Sequence, residues 1–297
     1  MLQRVLIIAN PGSGKGKAIY YADQLSNVLR RHHHSVTHTR LTKKAGDAKE
    51  WAQQASRNGY DTVICLGGDG TVNETAQGVY LSDHPIMFGF IPLGTVNDLG
   101  RALGYSMNPE RAIREFKQVD LRKLDIARVN DRYFINVLAI GAVPESVMLT
   151  DSKDKNRFGR FAYYKDSIAG LLNTKDYYYQ LKIDDDTHMI QSNLILIMLT
   201  NNVAGFERLF YEARYDDGLM HIVAIDGVKP TDHLNAVFEA AIGETKGYNF
   251  IAKSAKKIKI RNLNQSIIYC NVDGDQGPIL PLDIEVIPHA IDVLVPR

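Results

Sequence analysis

Three glycine-rich turns in the first part of the chain carry the residues best suited to phosphate chemistry. The second of them, Gly67-Gly68-Asp69-Gly70-Thr71-Val72-Asn73-Glu74, follows an apolar run of strand length and leads into a helical pattern. Glycines there let the main chain approach a phosphate closely and present its N–H groups, and the start of a helix adds its positive end. An acid inside such a loop repels anions unless a cation intervenes. Asp69 therefore points to Mg²⁺ bridging carboxylate and phosphate oxygens, with a plain helix cap as its alternative role. The third turn, Pro92-Leu93-Gly94-Thr95-Val96-Asn97-Asp98, offers a hydroxyl, an amide and a carboxylate at one end of a sheet, and an N-cap has the same composition. The first, Asn10-Pro11-Gly12-Ser13-Gly14-Lys15-Gly16, is not a Walker A loop. Ala9 stands where its first glycine belongs, Gly16 where Ser or Thr would hold magnesium, and Lys17 breaks G-x-G-x-x-G. Taken alone it reads equally as a strand-to-helix turn; with two sister loops it belongs to a shared nucleotide site.

The elements around these turns alternate. Val5–Ala9, a segment near Val36, Thr62–Leu66 and Ile86–Ile91 read as strands, and Ala18–His34, Asp47–Arg57 and Val72–Leu81 as helices. That alternation predicts a mostly parallel sheet covered by helices, with ligands beyond the carboxyl ends of the strands. From about residue 122 the pattern becomes antiparallel. Lys123–Val129 with Arg132–Ile140, and Tyr177–Ile183 with Met189–Leu199, read as hairpins, followed by strands at 219–225, 256–260, 266–272, 282–287 and 291–295. Helical pattern there is confined to Phe158–Leu172 and Leu234–Ile242. The fold class is α/β: a nucleotide-binding α/β domain over 1–122 and an antiparallel β domain over 123–297.

With 297 residues, 45% of them hydrophobic, the chain is long enough to bury a core without disulfides or a structural metal. A net charge of +1 argues against a nucleic-acid partner. Cys65 and Cys270 lie in apolar runs and form no CxxC, which fits reduced thiols in a cytoplasmic protein, a disulfide remaining open. No secretory signal is recognisable, and the longest later apolar run, Leu194–Leu199, is far short of a membrane span. Any membrane contact is then peripheral.

The ordered motifs NPGSGKG, GGDGTVNE and PLGTVNDLGR, continued by Tyr215-Asp216-Asp217-Gly218-Leu219 and Val272-Asp273-Gly274-Asp275, resemble the diacylglycerol kinase catalytic-domain family, its soluble bacterial members above all. The likeness covers nearly the whole chain. It implies an α/β domain and a β-sandwich domain with the active site in the cleft between them, ATP and Mg²⁺ as cofactors, and a membrane lipid as acceptor. By match, ATP falls to Asn10, Thr42, the loop residues Gly67, Gly68, Asp69, Gly70, Thr71, Val72 and Asn73, and Thr95. Asp69 and Asp98 organise the catalytic Mg²⁺. A separate structural Mg²⁺ is implied at the Asp217 carboxylate and the carbonyls of Arg214 and Leu219. The general base of the family is a Glu, and Asp275 stands at its position, one methylene shorter. Val96 replaces a small residue, and Glu212 a proline.

The expected activity is transfer of the γ-phosphoryl group of ATP to a lipid hydroxyl, that of diacylglycerol first, with Asp275 taking the hydroxyl proton. Two rivals stay open: an NAD kinase-like phosphotransferase, which shares the GGDGT loop, and a catalytically weak nucleotide-binding regulator, prompted by Asp275. The basic helix pattern at 158–172 suits either an anionic lipid surface or packing within the second domain. The His32-His33-His34 triplet reads as solvated rather than metal-binding, and a homodimer is left open.

Overall fold

The computed structural model describes residues 2–141, 177–192, 194–203, 206–207, 213–226, 249–264 and 266–297. The expected helices at 158–172 and 234–242, and Glu212, lie outside them. The chain forms two compact units, Met1–Asp125 with His289–Arg297, and Ile126–Pro288.

The first unit runs β1 (Arg4–Ala9), α1 (Ala18–His33), β2 (Val36–Leu41), α2 (Asp47–Gln54), β3 (Thr62–Gly67), α3 (Asp69–Tyr80), β4 (Met87–Pro92), α4 (Asp98–Ala102) and α5 (Pro109–Glu115). Its strands pair in parallel in the order β2-β1-β3-β4. Val5–Ala9 and Val63–Leu66 are buried throughout, as continuous apolar runs must be when helices cover both faces. Helix α1 buries Ala18, Tyr21, Ala22, Leu25 and Leu29 at helical spacing and stops at His34 in the left-handed conformation. Helix α3 begins at Asp69 rather than at the expected Val72, so the second glycine loop is itself the first helical turn.

The chain leaves this unit through β5 (Val119–Val129) and continues with β6 (Arg132–Phe134), β7 (Val137–Gly141), β8 (Tyr177–Ile183), β9 (Asp186–Ser192), β10 (Leu194–Met198), β11 (Asn202–Val203), β12 (Phe206–Glu207), β13 (Met220–Asp226), β14 (Asn249–Ala255), β15 (Lys257–Asn262), β16 (Tyr269–Val272), β17 (Asp275–Ile279) and β18 (Leu282–Pro296). In the second unit one antiparallel sheet has the order β14-β13-β10-β7-β16-β17, and a second layer pairs β9, β8, β15 and the start of β18. Leu138, Ile140, Ile195, Ile197, Ile222 and Cys270 of the first layer share one core with Tyr179, Leu181, Ile258, Ile260 and Ile284 of the second, which makes the unit a β-sandwich.

Three departures from the sequence expectation have local causes. Met189–Leu199 is not one strand of a hairpin. It divides after Ser192, whose hydroxyl donates to the Leu194 carbonyl, so β9 pairs with β8 while β10 joins the other sheet between β7 and β13. Residues 282–287 and 291–295 are one strand, bent at His289 with φ 54 and held there by its N–H donating to the Asp125 carboxylate at 2.7 Å. Residues 289–297 belong to the first unit, whereas the sequence division placed them in the second. Asp292 and Val293 pair in parallel with β4, Lys123 meets Asp292 at 2.6 Å, and Arg297 meets Asp120 at 2.6 Å.

The α2–α3 contact depends on Gly78. A Cβ there would lie 2.3 Å from the Lys49 carbonyl oxygen and 2.7 Å from Ala52 Cβ. Gly78→Ala is expected to destabilise the protein by about 1–3 kcal/mol, the usual cost of overpacking. Urea midpoints of the two proteins measure this, and equal midpoints would refute the close packing.

Candidate active site

Each turn at the carboxyl ends of β1, β3 and β4 is built from main-chain bonds to its neighbours. The N–H of Asn10 donates to the Leu66 carbonyl at 2.9 Å, that of Leu93 to Gly67 at 2.8 Å, and that of Gly14 to Leu93 at 3.3 Å. Asn10 also caps its own turn, taking the Gly12 N–H on Oδ1 at 3.0 Å, and reaches Thr71 Oγ1 from Nδ2 at 3.4 Å. The second and third turns nearly touch. A Cβ on Gly94 would meet Gly68 Cα at 2.7 Å, and one on Gly67 would meet Thr71 Cβ at 2.4 Å. Only glycine permits this approach.

Asp69 clasps the two turns together. Its Oδ2 accepts the Asn97 N–H at 2.9 Å and its Oδ1 the Asp98 N–H at 2.8 Å. Asn97 sits in the left-handed conformation, with its amide bonded both ways to Gly94, at 2.8 and 3.0 Å. Asp69 thus caps α4, the neighbouring helix, as the cap reading has it. Each oxygen keeps a lone pair, so the donor set fits Mg²⁺ held directly or through water, with the buried Asp98 beside it. No side chain caps α3 at Gly68, which leaves the amides of its first turn for an anion.

Thr42 is brought to the same end by its N–H donating to the Ala9 carbonyl at 3.0 Å. The residue that orders its segment is one that motif reading missed, Asp47. Its Oδ2 accepts the N–H groups of Lys43 at 2.7 Å and Lys44 at 3.0 Å, and these bonds hold its carboxyl below the usual carboxylate range. The Asp47 signal was an acid just after a Gly at a helix start. Glu74 adds a tie by accepting the Gly46 N–H at 2.9 Å. Of the residues matched to ATP, Asn10, Thr42, Gly67, Gly68, Asp69, Gly70, Thr71 and Thr95 lie at these strand ends. The side chains of Val72 and Asn73 are buried, and the Val72 N–H is bonded to the Gly68 carbonyl at 3.1 Å.

In the second unit, Asp217 Oδ2 accepts the Arg214 N–H and His221 Nε2, both at 3.0 Å, and Oδ1 accepts the Leu219 N–H at 2.9 Å. Burial pushes the Asp217 carboxyl up, but the bonds from His221, Arg214 and Leu219 outweigh it and hold the group below its ordinary range. His221, 1% exposed, reaches Ser254 Oγ through Nδ1 at 2.9 Å, and the two residues face each other in the β13–β14 register. His221 carried no motif signal. One lone pair remains on Asp217 Oδ1, so the turn fits a cation held by a single carboxylate contact plus main-chain oxygens. Among the described residues, no cluster of three or more His, Cys, Asp or Glu could hold a metal. The two cysteines are free, and burial pushes both thiols up to about 12.

Asp275 is exposed at the start of β17, directly after an Asp273-Gly274 turn, and pairs with Val272. The Asp273 carboxylate accepts three successive main-chain N–H groups, from Ile135, Asn136 and Val137, at 2.9, 3.0 and 2.9 Å.

A unit of glycine turns at the ends of a parallel sheet, followed in one chain by an antiparallel sandwich, defines the class. The diacylglycerol kinase catalytic domain model matches residues 4–129, and the YegS C-terminal NAD kinase beta sandwich-like domain model matches residues 145–295. A diacylglycerol kinase of Staphylococcus aureus (strain bovine RF122 / ET3-1) is 34% identical over 100% of this chain and 94% of its own. One of Staphylococcus saprophyticus is 33% identical over 100% and 97%. A crystal structure of a diacylglycerol kinase from Bacillus anthracis str. Sterne has the same fold, with TM-score 0.81 and 24% identity over 99% of this chain and 97% of that one. The chain belongs to the diacylglycerol kinase family of lipid kinases.

The Asp47 bonds have a pH signature. An unfolded Asp titrates near about 3.9, and a lower folded value gives stability that is present above that pH and lost as pH falls through the folded value. Wild type is therefore expected to exceed Asp47→Asn in urea stability at neutral pH, with the gap closing in acid. A gap independent of pH would show that the carboxylate charge is not what holds the Thr42 segment.

Proposed function

We propose that this lipid kinase transfers the γ-phosphoryl group of ATP, with Mg²⁺, to the hydroxyl of diacylglycerol, giving phosphatidic acid. The observation that carries the reading is the Asp69 clasp, which sets the open N-terminus of α3 and the Gly94–Asp98 turn side by side. Amides of Gly70 and Thr71 would bind phosphate oxygens, and Asn10, Thr42 and Thr95 would orient the nucleotide. Asp69 and Asp98 would hold Mg²⁺, whose chemistry there would be neutralisation of phosphate charge.

Asp275 takes the proton of the acceptor hydroxyl. The hydroxyl oxygen forms a bond to the γ-phosphorus in line, the bond to the bridging β–γ oxygen breaks, and ADP leaves with that oxygen. Little of this is covalent work by the protein; positioning and electrostatics supply most of the rate. The names of the relatives support diacylglycerol as acceptor. Among the described residues no helix is long and apolar enough to cross a membrane, so the lipid would be met by peripheral, transient docking.

The test is transfer of labelled γ-phosphate to a mixed lipid panel in micelles, with NAD as a soluble control. Diacylglycerol is expected to be labelled by wild type. Asp69→Ala is expected to lower that rate on the order of 100-fold or more, since it removes both the loop geometry and a cation ligand. Labelling of NAD alone would favour the dinucleotide kinase. ATP binding with no labelled acceptor would favour the regulator.

A further inference from the structure

We infer that Asp273 is the positioning residue for Asp275, setting where the proton-accepting carboxylate sits through the turn between them. The inference rests on Asp275 being the base, as proposed above.

The β16–β17 hairpin closes in two residues, Asp273 and Gly274, with φ values of 50 and 94. A two-residue hairpin turn of this kind needs positive φ at both positions, and Asp-Gly is a pair that tolerates it. Left to itself, such a turn frays with its edge strand, and β17 is the edge of its sheet. Here it is held from outside. The β6–β7 link and the first residue of β7 point three consecutive N–H groups at the Asp273 carboxylate, Ile135 on Oδ2 and Asn136 and Val137 on Oδ1. The Asp273 N–H returns the contact to the Val137 carbonyl at 2.9 Å. Asn271 Oδ1 accepts the Gly274 N–H at 2.9 Å and fixes the other half of the turn.

Four bonds between Asp273 and a neighbouring segment thus lock a turn whose exit residue is Asp275. Hydrogen bonds to a charged acceptor are the stronger kind. A short carboxylate has fewer rotatable bonds with which to find the acceptor, so its placement is decided by the main chain that carries it. Rigid placement is what an aspartate base requires and what a freely hinged turn would not give it.

Asp273→Asn separates positioning from mere folding. One oxygen survives to accept Asn136 and Val137, but the new NH₂ faces the Ile135 N–H, two donors with nothing between them. The turn shifts, and a shift of about 1 Å at the base costs on the order of 100-fold in rate. The expected result is a fall of that order in kcat for lipid phosphorylation. The KM for ATP and the amount of ATP bound per protein should stay at wild-type values. A general folding defect would instead lower bound ATP together with kcat.

Gly274→Ala is the second variant. A Cβ there meets nothing within 4 Å, so it strains the turn through φ alone and leaves the anchor intact. It too should lower kcat without changing ATP binding, and it decides the matter if Asp273→Asn does not fold. Asp275→Ala distinguishes the two readings. If Asp275→Ala keeps its kcat, the base assignment fails. If Asp275→Ala is inactive while Asp273→Asn or Gly274→Ala retains wild-type kcat, the positioning inference alone is overturned.

Discussion

The loop end of the first unit depends on one acid accepting two main-chain N–H groups from a loop almost thirty residues away, Asp69 with Asn97 and Asp98. Without it, a carboxylate at the mouth of an anion-binding loop would be a liability, since it repels what the helix dipole attracts. With it, the negative charge is spent on the N-terminal amides of a second helix, and hydrogen bonds of that charged kind are worth about 1.5–3 kcal/mol each. The close approach of Gly68 and Gly94 accompanies the same clasp. Each oxygen keeps a lone pair, so holding the loops leaves the residue able to accept a cation.

The same device recurs where no phosphate is in question. Asp47 accepts two N–H groups in front of α2, Asp217 two within its turn and a histidine, and Asp273 three from a neighbouring strand connection. In each case an acid at a turn orders main chain that would otherwise be free. What distinguishes Asp275 is its exposure at the end of such a turn. An acid in a motif is therefore read for chemistry only after its main-chain donors have been counted.

The α/β architecture was legible because glycine turns and buried strands leave local signals. Gly67-Gly68 follows an unbroken apolar run, and α1 shows its buried face at helical spacing. The division of Met189–Leu199 was not legible, because one alternating run can feed either layer of a sandwich and the break is a single serine hydroxyl bonding two residues on. The return of residues 289–297 to the first unit was equally hidden. Its causes are a left-handed His289 and an Asp125 contact, neither of which has a local periodicity. Asp69 stands out in the sequence by its glycine neighbours, whereas the Asp273 carboxylate is claimed by main chain well over a hundred residues away, which no local pattern announces. Motif spacing locates chemistry; it does not reveal which acids have already been claimed by the backbone.

That distinction bears on why Asp, and no near relative, suits position 69. An asparagine there keeps one acceptor and turns the other into a donor facing either the Asn97 or the Asp98 N–H, so the clasp is half lost before any question of charge arises. A glutamate keeps both acceptors but sets them one methylene further out, against a third turn whose distance is already fixed by Gly68 meeting Gly94. The fold thus requires two carboxylate oxygens at one particular reach from the α3 main chain. A phosphate-bound cation of the proposed reaction would ask for the same charge in the same place, so the structural demand on Asp69 is compatible with the proposed chemical one.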